Sequence, residues 1–343
     1  MRKITNIEKI LFAQTSEEEE KTLKEIIQVD PTNVIACIRL GNLLRERGDY
    51  TDALKLHKSL LVEPVAEFKK EIYVSMIKDC IRAKKDKLAV PFVKELQKIV
   101  SKDYSILEFL YKFYEEFSYW DEAIELRKRI LALKGKTDNE SLAILYAIWG
   151  NSLIESGDTE RGIKHFKEAL VLDKLCLPAL LLLGDFYYES GEEEKGIELW
   201  QQVVENLPTY AFVAFERLEK AYYVGHNYSN LLSSYTSFLK HHPDNVHVLV
   251  RLAEIYEKMG EDEEAIDLLE RAGEVSPSNL LIMKTLFKFY YNNNRYEDMF
   301  KKGTELFSLS SPQYKDFKCC KCGMQFTKFD FRCSNCKNWL TIK

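Results

Sequence analysis

Apolar side chains recur at three- and four-residue spacing through most of the first 310 residues, the mark of amphipathic helices, and Gly, Asn and Pro interrupt them at regular intervals. The interruptions share one period. Aligning Gly150, Gly184, Glu219, Ala253 and Phe287 gives separations of 34, 35, 34 and 34. Three residues after the last four of these anchors come Tyr187, Tyr222, Tyr256 and Tyr290. Seven residues after an anchor come Gly157, Gly191, Gly260 and Asn294, and twelve after it Gly162, Gly196, Leu231, Ala265 and Met299. Pro208, Pro243 and Pro277 close successive units.

A self-similar period of this length predicts stacked supersecondary units, and these positions carry the tetratricopeptide pattern. Small residues at the anchor and twelve later let two antiparallel helices approach, and the tyrosine fills the space beside them. Gly or Asn ends the first helix in a left-handed turn, and Pro stops the second. A further unit runs through Leu40-Gly41-Asn42-Leu43-Leu44, Gly48-Asp49-Tyr50 and Ala53, ending near Pro64. Another centres on Leu110, Tyr114, Trp120 and Ala123. Between them Lys69–Val100 reads as a divergent repeat with a kink or break at Pro91, and Glu17–Val29 as one more helix. The expected fold is all-α: a tetratricopeptide-repeat superhelix of about eight helix pairs, with a small C-terminal four-cysteine rubredoxin-like or zinc-ribbon module. The domain reading is an N-terminal helical segment at 1–30, repeats at 31–309 and the module at 310–343.

No catalytic constellation emerges. Gly135-Lys136-Thr137 resembles the end of a phosphate loop, but Ile130 stands where the leading Gly belongs and no strand precedes it. His241-His242-Pro243 falls at a predicted helix end, where cations suit the dipole. Glu192-Glu193-Glu194 and Glu261-Asp262-Glu263-Glu264 fall at starts of second helices, again as the dipole favours. The expectation is a non-enzyme that binds along its first helices. By periodicity Asn42, Arg45, Asn151, Asp185, Tyr188 and Glu254 face that partner groove.

Charge sharpens the picture at one end only. The chain of 343 residues has net charge −5, which excludes a simple electrostatic nucleic-acid binder. From Tyr314 to Lys343, however, seven Lys/Arg face two Asp/Glu. Nearby cations stabilise thiolates, and this tail holds five of the eight cysteines. The other three, Cys37, Cys80 and Cys176, sit at apolar helical positions as small hydrophobes.

Cys319-Cys320-Lys321-Cys322-Gly323 is followed, ten residues after Cys322, by Cys333-Ser334-Asn335-Cys336. Two Cys-x-x-Cys pairs at this separation offer one ion a tetrahedral all-sulfur shell. Two intervening residues let the backbone turn around an ion, so Cys319 pairs with Cys322 and Cys320 points away. Gly323 permits a tight turn with positive φ. So short a segment folds only with a staple, and structural zinc supplies roughly 10–16 kcal/mol of apparent binding free energy in zinc-finger peptides. Zinc and iron both accept four thiolates. The aromatics Phe317, Phe326, Phe329, Phe331 and Trp339 exceed what so small a core can hold, so some are expected to pack on the last repeats.

The combination resembles the lipopolysaccharide assembly protein B family over nearly the whole chain. Val29-Asp30-Pro31, Leu40-Gly41-Asn42-Leu43, Arg45, Arg47-Gly48, Ala53, His57 and Leu60-Leu61 resemble its first full repeat. The four cysteines, Gly323, Trp339 and Thr341-Ile342-Lys343 resemble its rubredoxin-like module. The resemblance implies a cytoplasmic adaptor at the face of the bacterial inner membrane. It would couple a membrane AAA+ protease to the deacetylase of the lipid A pathway and so limit lipopolysaccharide synthesis. It also implies Cys319, Cys322, Cys333 and Cys336 as the ligands, on a module that docks on the repeats.

Two features depart from that family. Its N-terminal membrane helix has no counterpart, since the apolar run Ile10–Ala13 is far short of the ~20 residues a span needs. The second knuckle has Lys337 where a Gly is usual, which is expected to change that turn. Two other classes compete: a nucleic-acid-binding repeat protein with a zinc ribbon, and a rubredoxin-type electron carrier.

Overall fold

The computed structural model describes residues 16–61, 66–224, 228–277, 279–308, 317–326 and 328–342. The run Ile10–Ala13, Pro64 and the 309/310 boundary lie outside them. Seventeen α-helices and a two-stranded sheet occupy the described residues, in two compact units, 1–138 and 139–343. The first unit holds α1 (Ser16–Val29), α2 (Val34–Arg47), α3 (Tyr50–Ser59), α4 (Lys69–Arg82), α5 (Asp86–Ile99), α6 (Tyr104–Glu116) and α7 (Trp120–Lys134). The second holds α8 (Asn139–Glu155), α9 (Thr159–Leu172), α10 (Leu177–Glu189), α11 (Glu193–Asn206), α12 (Ala211–Val224) and α13 (Tyr228–His241). It continues with α14 (Val246–Met259), α15 (Asp262–Val275), α16 (Leu280–Asn292), α17 (Tyr296–Ser308), β1 (Phe317–Lys318) and β2 (Gln325–Phe326). After α1 the helices follow one another as eight pairs, α2–α3 through α16–α17, which is the expected all-α repeat fold.

One left-handed residue ends the first helix in seven of the pairs: Gly48, Lys84, Ser118, Gly157, Gly191, Gly260 and Asn294, with φ of 101°, 55°, 61°, 92°, 89°, 79° and 57°. The Lys84 and Ser118 turns extend the register into the two pairs that were least regular in sequence. Asn33 and Asn245 cap the starts of α2 and α14, accepting from Ala36 N–H at 3.0 Å and Val248 N–H at 3.2 Å.

The register exposes a volume rule in four of the pairs. The residue seven before the left-handed turn packs against the residue sixteen after itself, and their sizes compensate. Gly150 faces Phe166 and Gly184 faces Trp200, whereas Phe287 faces Gly303. A Cβ on Gly150 would lie 2.8 Å from the Gly162 carbonyl and 3.1 Å from the Phe166 ring, so the close approach of α8 and α9 requires glycine there. Tyr111 faces Arg127, whose guanidinium stands 5.6 Å from the ring centroid. Gly41 faces His57, a buried polar residue in the place of an aromatic. The α12–α13 pair has neither small residue. Glu219 and Leu231 stand there, and Phe215 stacks on fully buried Tyr235 at 4.0 Å to fill the wider gap.

Pro91 does not break its helix. It lies on the exposed face in the second turn of α5, and Lys87, whose carbonyl loses its partner, is also exposed, so water can satisfy that carbonyl. The break falls instead between Arg82 and Asp86, at left-handed Lys84.

Candidate metal centre and its seat on the repeats

The two cysteine knuckles are built alike. In the first, Cys319 N–H donates to the Met324 carbonyl at 2.8 Å and Gly323 N–H donates to the Cys319 carbonyl at 2.9 Å. In the second, Cys333 N–H donates to the Asn338 carbonyl and Lys337 N–H to the Cys333 carbonyl, both at 2.9 Å. The fifth residue of each is left-handed: Gly323 at φ 74° and Lys337 at φ 58°. The second turn therefore survives the loss of its glycine, contrary to expectation. Lysine accepts a conformation that costs a side-chain residue roughly 1–2 kcal/mol, because the knuckle's two hydrogen bonds hold it there.

A hairpin carries the first knuckle, with Phe317 paired to Phe326 and Lys318 to Gln325. The chain end returns to it, bridging Ile342 to Cys319. Together these place the sulfurs of Cys319, Cys322, Cys333 and Cys336 all within 4.8 Å of one another. Cys319 Sγ lies 3.6 Å from Cys336 Sγ, and Cys322 Sγ lies 3.7 Å from Cys333 Sγ. A tetrahedron with metal–sulfur bonds of about 2.3 Å has sulfur–sulfur edges of about 3.8 Å, so the donor set fits a four-thiolate ion. Cys320 is exposed and outside the cluster. Cys319 is fully buried; burial opposes its thiolate, but the Thr341 hydroxyl at 3.2 Å and the N–H groups of Cys322 and Lys321 hold the thiol down to about 6. Burial pushes Cys333 up to about 11 against N–H groups from Cys336 and Asn335. The other three cysteines are buried, Cys37 and Cys80 within helices and Cys176 at the N-cap of α10, and burial lifts Cys80 to about 11 and Cys176 to about 12, as inert thiols.

Several of the module's aromatics reach beyond its small core and pack on helix pairs earlier than the last one. Phe329 meets Tyr210 at 6.0 Å and Phe212 at 5.6 Å between ring centroids. Phe317 stacks on Phe212 at 5.7 Å and on His247 at 6.0 Å. Tyr210 Oη donates to the Leu340 carbonyl at 3.1 Å. Trp339 and Leu340 pack on the cluster that includes Ala143, Phe166 and Leu183. The seat is thus made from α8–α12 and the start of α14. The sequence reading missed Tyr210 and Phe212, although the aromatic pair after Pro208 at the head of a first helix was a usable signal.

The six groove candidates all have intramolecular partners. Arg45 holds Asn42 at 2.6 Å and Asp79 at 2.9 Å. Asp79 is fully buried and lies 2.5 Å from His57 Nδ1, so one carboxylate ties two side chains of the first unit, Arg45 and His57. Asn151 donates to Glu155 at 2.8 Å, and Tyr188 packs on Trp200 at 5.2 Å. In the second unit, charges join the first helices of successive pairs. Asp185 takes both arms of Arg217 at 2.6 and 2.8 Å, Glu219 takes Arg251 at 2.7 Å, and Glu257 takes Lys288 at 2.8 Å. Glu254 joins this ladder through Arg251 at 2.6 Å.

Three stretches, 36–70, 149–211 and 232–281, match family models described as tetratricopeptide repeat. Lipopolysaccharide assembly protein B of Haemophilus influenzae is 24% identical over 328 residues, covering 90% of this chain and 78% of that protein. The protein of the same name from Escherichia coli K12 is 22% identical over 331 residues, covering 93% and 83%. The chain is a tetratricopeptide-repeat relative of lipopolysaccharide assembly protein B. It also matches, at 28% identity over 175 residues, 18% of the probable UDP-N-acetylglucosamine–peptide N-acetylglucosaminyltransferase SPINDLY of Hordeum vulgare. Among solved structures, MamA from Desulfovibrio magneticus RS-1 is 19% identical with a TM-score of 0.33, covering 48% of this chain and 89% of that one. No described helix of this relative of lipopolysaccharide assembly protein B is long and apolar enough to cross a membrane.

Proposed function

We propose that the chain is a non-enzymatic protein adaptor that regulates lipopolysaccharide assembly. Its repeats, residues 31–309, hold protein partners along their first helices, and its C-terminal module, 310–343, is a structural metal site. Cys319, Cys322, Cys333 and Cys336 hold one zinc or iron ion, which supplies crosslinking rather than reactivity. The observation that carries this reading is the four-sulfur cluster seated on the helix pairs through Phe317, Phe329, Trp339 and Leu340. A module fixed to its scaffold by stacked aromatics suits a brace, with the Cys322 edge of the site left exposed.

By likeness to its relatives, the adaptor works at the cytoplasmic face of the bacterial inner membrane. Its partners are then a membrane AAA+ protease and the deacetylase of the lipid A pathway. Crosslinking and capture from the native host, comparing the wild type with Cys333→Ser, tests this. Recovery of the protease or the deacetylase with the wild type alone supports the reading. Equal recovery with the variant would remove the module from the function, and recovery of neither enzyme would remove the partners.

A further inference from the structure

The second unit has two long rims, one at the starts of the first helices and one at the turns within each pair. The module covers part of the first rim, at Tyr210, Phe212 and His247. The turn-side rim of the last three pairs instead exposes large apolar side chains. Tyr223 is 45% exposed, Met259 45%, Tyr291 62% and Tyr296 51%. Two T-shaped tyrosine pairs recur there at equivalent register: Tyr223–Tyr228 at 5.0 Å and Tyr291–Tyr296 at 6.3 Å. The rim is continuous across pairs, because Lys258 Nζ stands 5.4 Å from the Tyr223 centroid and Arg295 reaches Glu263 at 3.5 Å. Concentrated, rigid aromatics of this kind mark protein contact surfaces, whereas single exposed apolar residues do not.

Charge selects the occupant. Glu261, Glu263, Glu264 and Glu297 flank the aromatics and are exposed. Of the cations beside them, Arg295 is engaged: it holds Asp298 at 2.8 Å as well as Glu263, and its guanidinium lies 5.1 Å from the Tyr290 centroid. An apolar strip bordered by exposed carboxylates complements an amphipathic helix whose polar flanks are Lys or Arg. We infer that this rim docks such a basic amphipathic helix of a partner protein. The inference rests on the adaptor reading and assigns it a second contact surface, apart from the groove.

Fluorescence anisotropy on the full chain tests it with a labelled Leu/Lys amphipathic peptide of about 18 residues, a scrambled Leu/Lys peptide and a Leu/Glu peptide. The rim predicts that the amphipathic Leu/Lys peptide binds about tenfold or more tightly than either other peptide. Tyr291→Ser/Tyr296→Ser should remove that preference, and Glu261→Lys/Glu297→Lys should transfer it to the Leu/Glu peptide. These side chains are exposed, so circular dichroism should be unchanged. Equal binding of the scrambled peptide, no binding by the wild type, or an unaltered Tyr291→Ser/Tyr296→Ser variant overturns the rim. So does a wild-type dimer dissolved by Tyr291→Ser, which would give the surface to a second copy. None of these variants touches the module, so capture that still depends on Cys333 while the peptides fail discards the rim and keeps the adaptor.

Discussion

The Tyr210 hydroxyl donates to the Leu340 carbonyl at 3.1 Å, across 130 residues of sequence. Tyr210 sits at the head of α12 and Leu340 just beyond the second knuckle, so the bond joins scaffold to module. Burial raises the Tyr210 hydroxyl above its usual range, which keeps it a donor. Tyr210→Phe should keep the ring contact with Phe329 and lose only the bond. It should loosen the module by about 1 kcal/mol, read as faster amide exchange at Leu340 and its neighbours. Unchanged exchange would show that the rings alone hold the seat.

Lys337 adopts φ 58° in the turn where Gly323 has 74° in the other knuckle. Lys337→Gly should relieve that conformation and stabilise the metal-loaded module by about 1 kcal/mol, measured as a higher chelator concentration at half-loss of metal. A destabilised variant would mean that the lysine charge near the thiolates matters more than its backbone.

Asp79 is fully buried between His57 and Arg45. Asp79→Ala should strand both partners and lower the denaturation midpoint of the first unit by roughly 3–5 kcal/mol equivalent. His57→Phe with Asp79→Leu, which restores the aromatic found at this register in other pairs, should recover most of that loss. Failure of the double variant to exceed the single one would show that the site does not tolerate the apolar alternative.

Gly150→Ala gains helix propensity worth about 1 kcal/mol, yet its Cβ would lie 2.8 Å from the Gly162 carbonyl. The clash with rigid backbone should win, with a net loss of about 1–3 kcal/mol in thermal or urea unfolding. A stabilised variant would contradict the close approach of α8 and α9.

The repeat was legible because its constraints are local. A left-handed turn needs Gly or Asn, and a close helix contact needs a small residue, so both leave a mark at fixed spacing. Where the structure meets the same need otherwise, the mark fades: Lys84 and Ser118 take the turn without being glycine, and Glu219 with Tyr235 replaces the small contact by a wider, filled gap. Pro91 misled because its effect depends on which face it occupies, and that is set by packing. The cysteine cluster was readable from spacing alone. Its seat was not, because Phe212 and His247 meet Phe317 through a long-range return of the chain that no local pattern encodes.

The most direct test is the metal content of the chain isolated from its native host under reducing conditions, compared across single cysteine variants. One zinc or iron ion per chain in the wild type and in Cys320→Ser, and its loss in Cys319→Ser, Cys322→Ser, Cys333→Ser and Cys336→Ser, is the predicted result. Metal-free wild type, or loss of the ion in Cys320→Ser equal to that in Cys319→Ser, would contradict the four-thiolate brace.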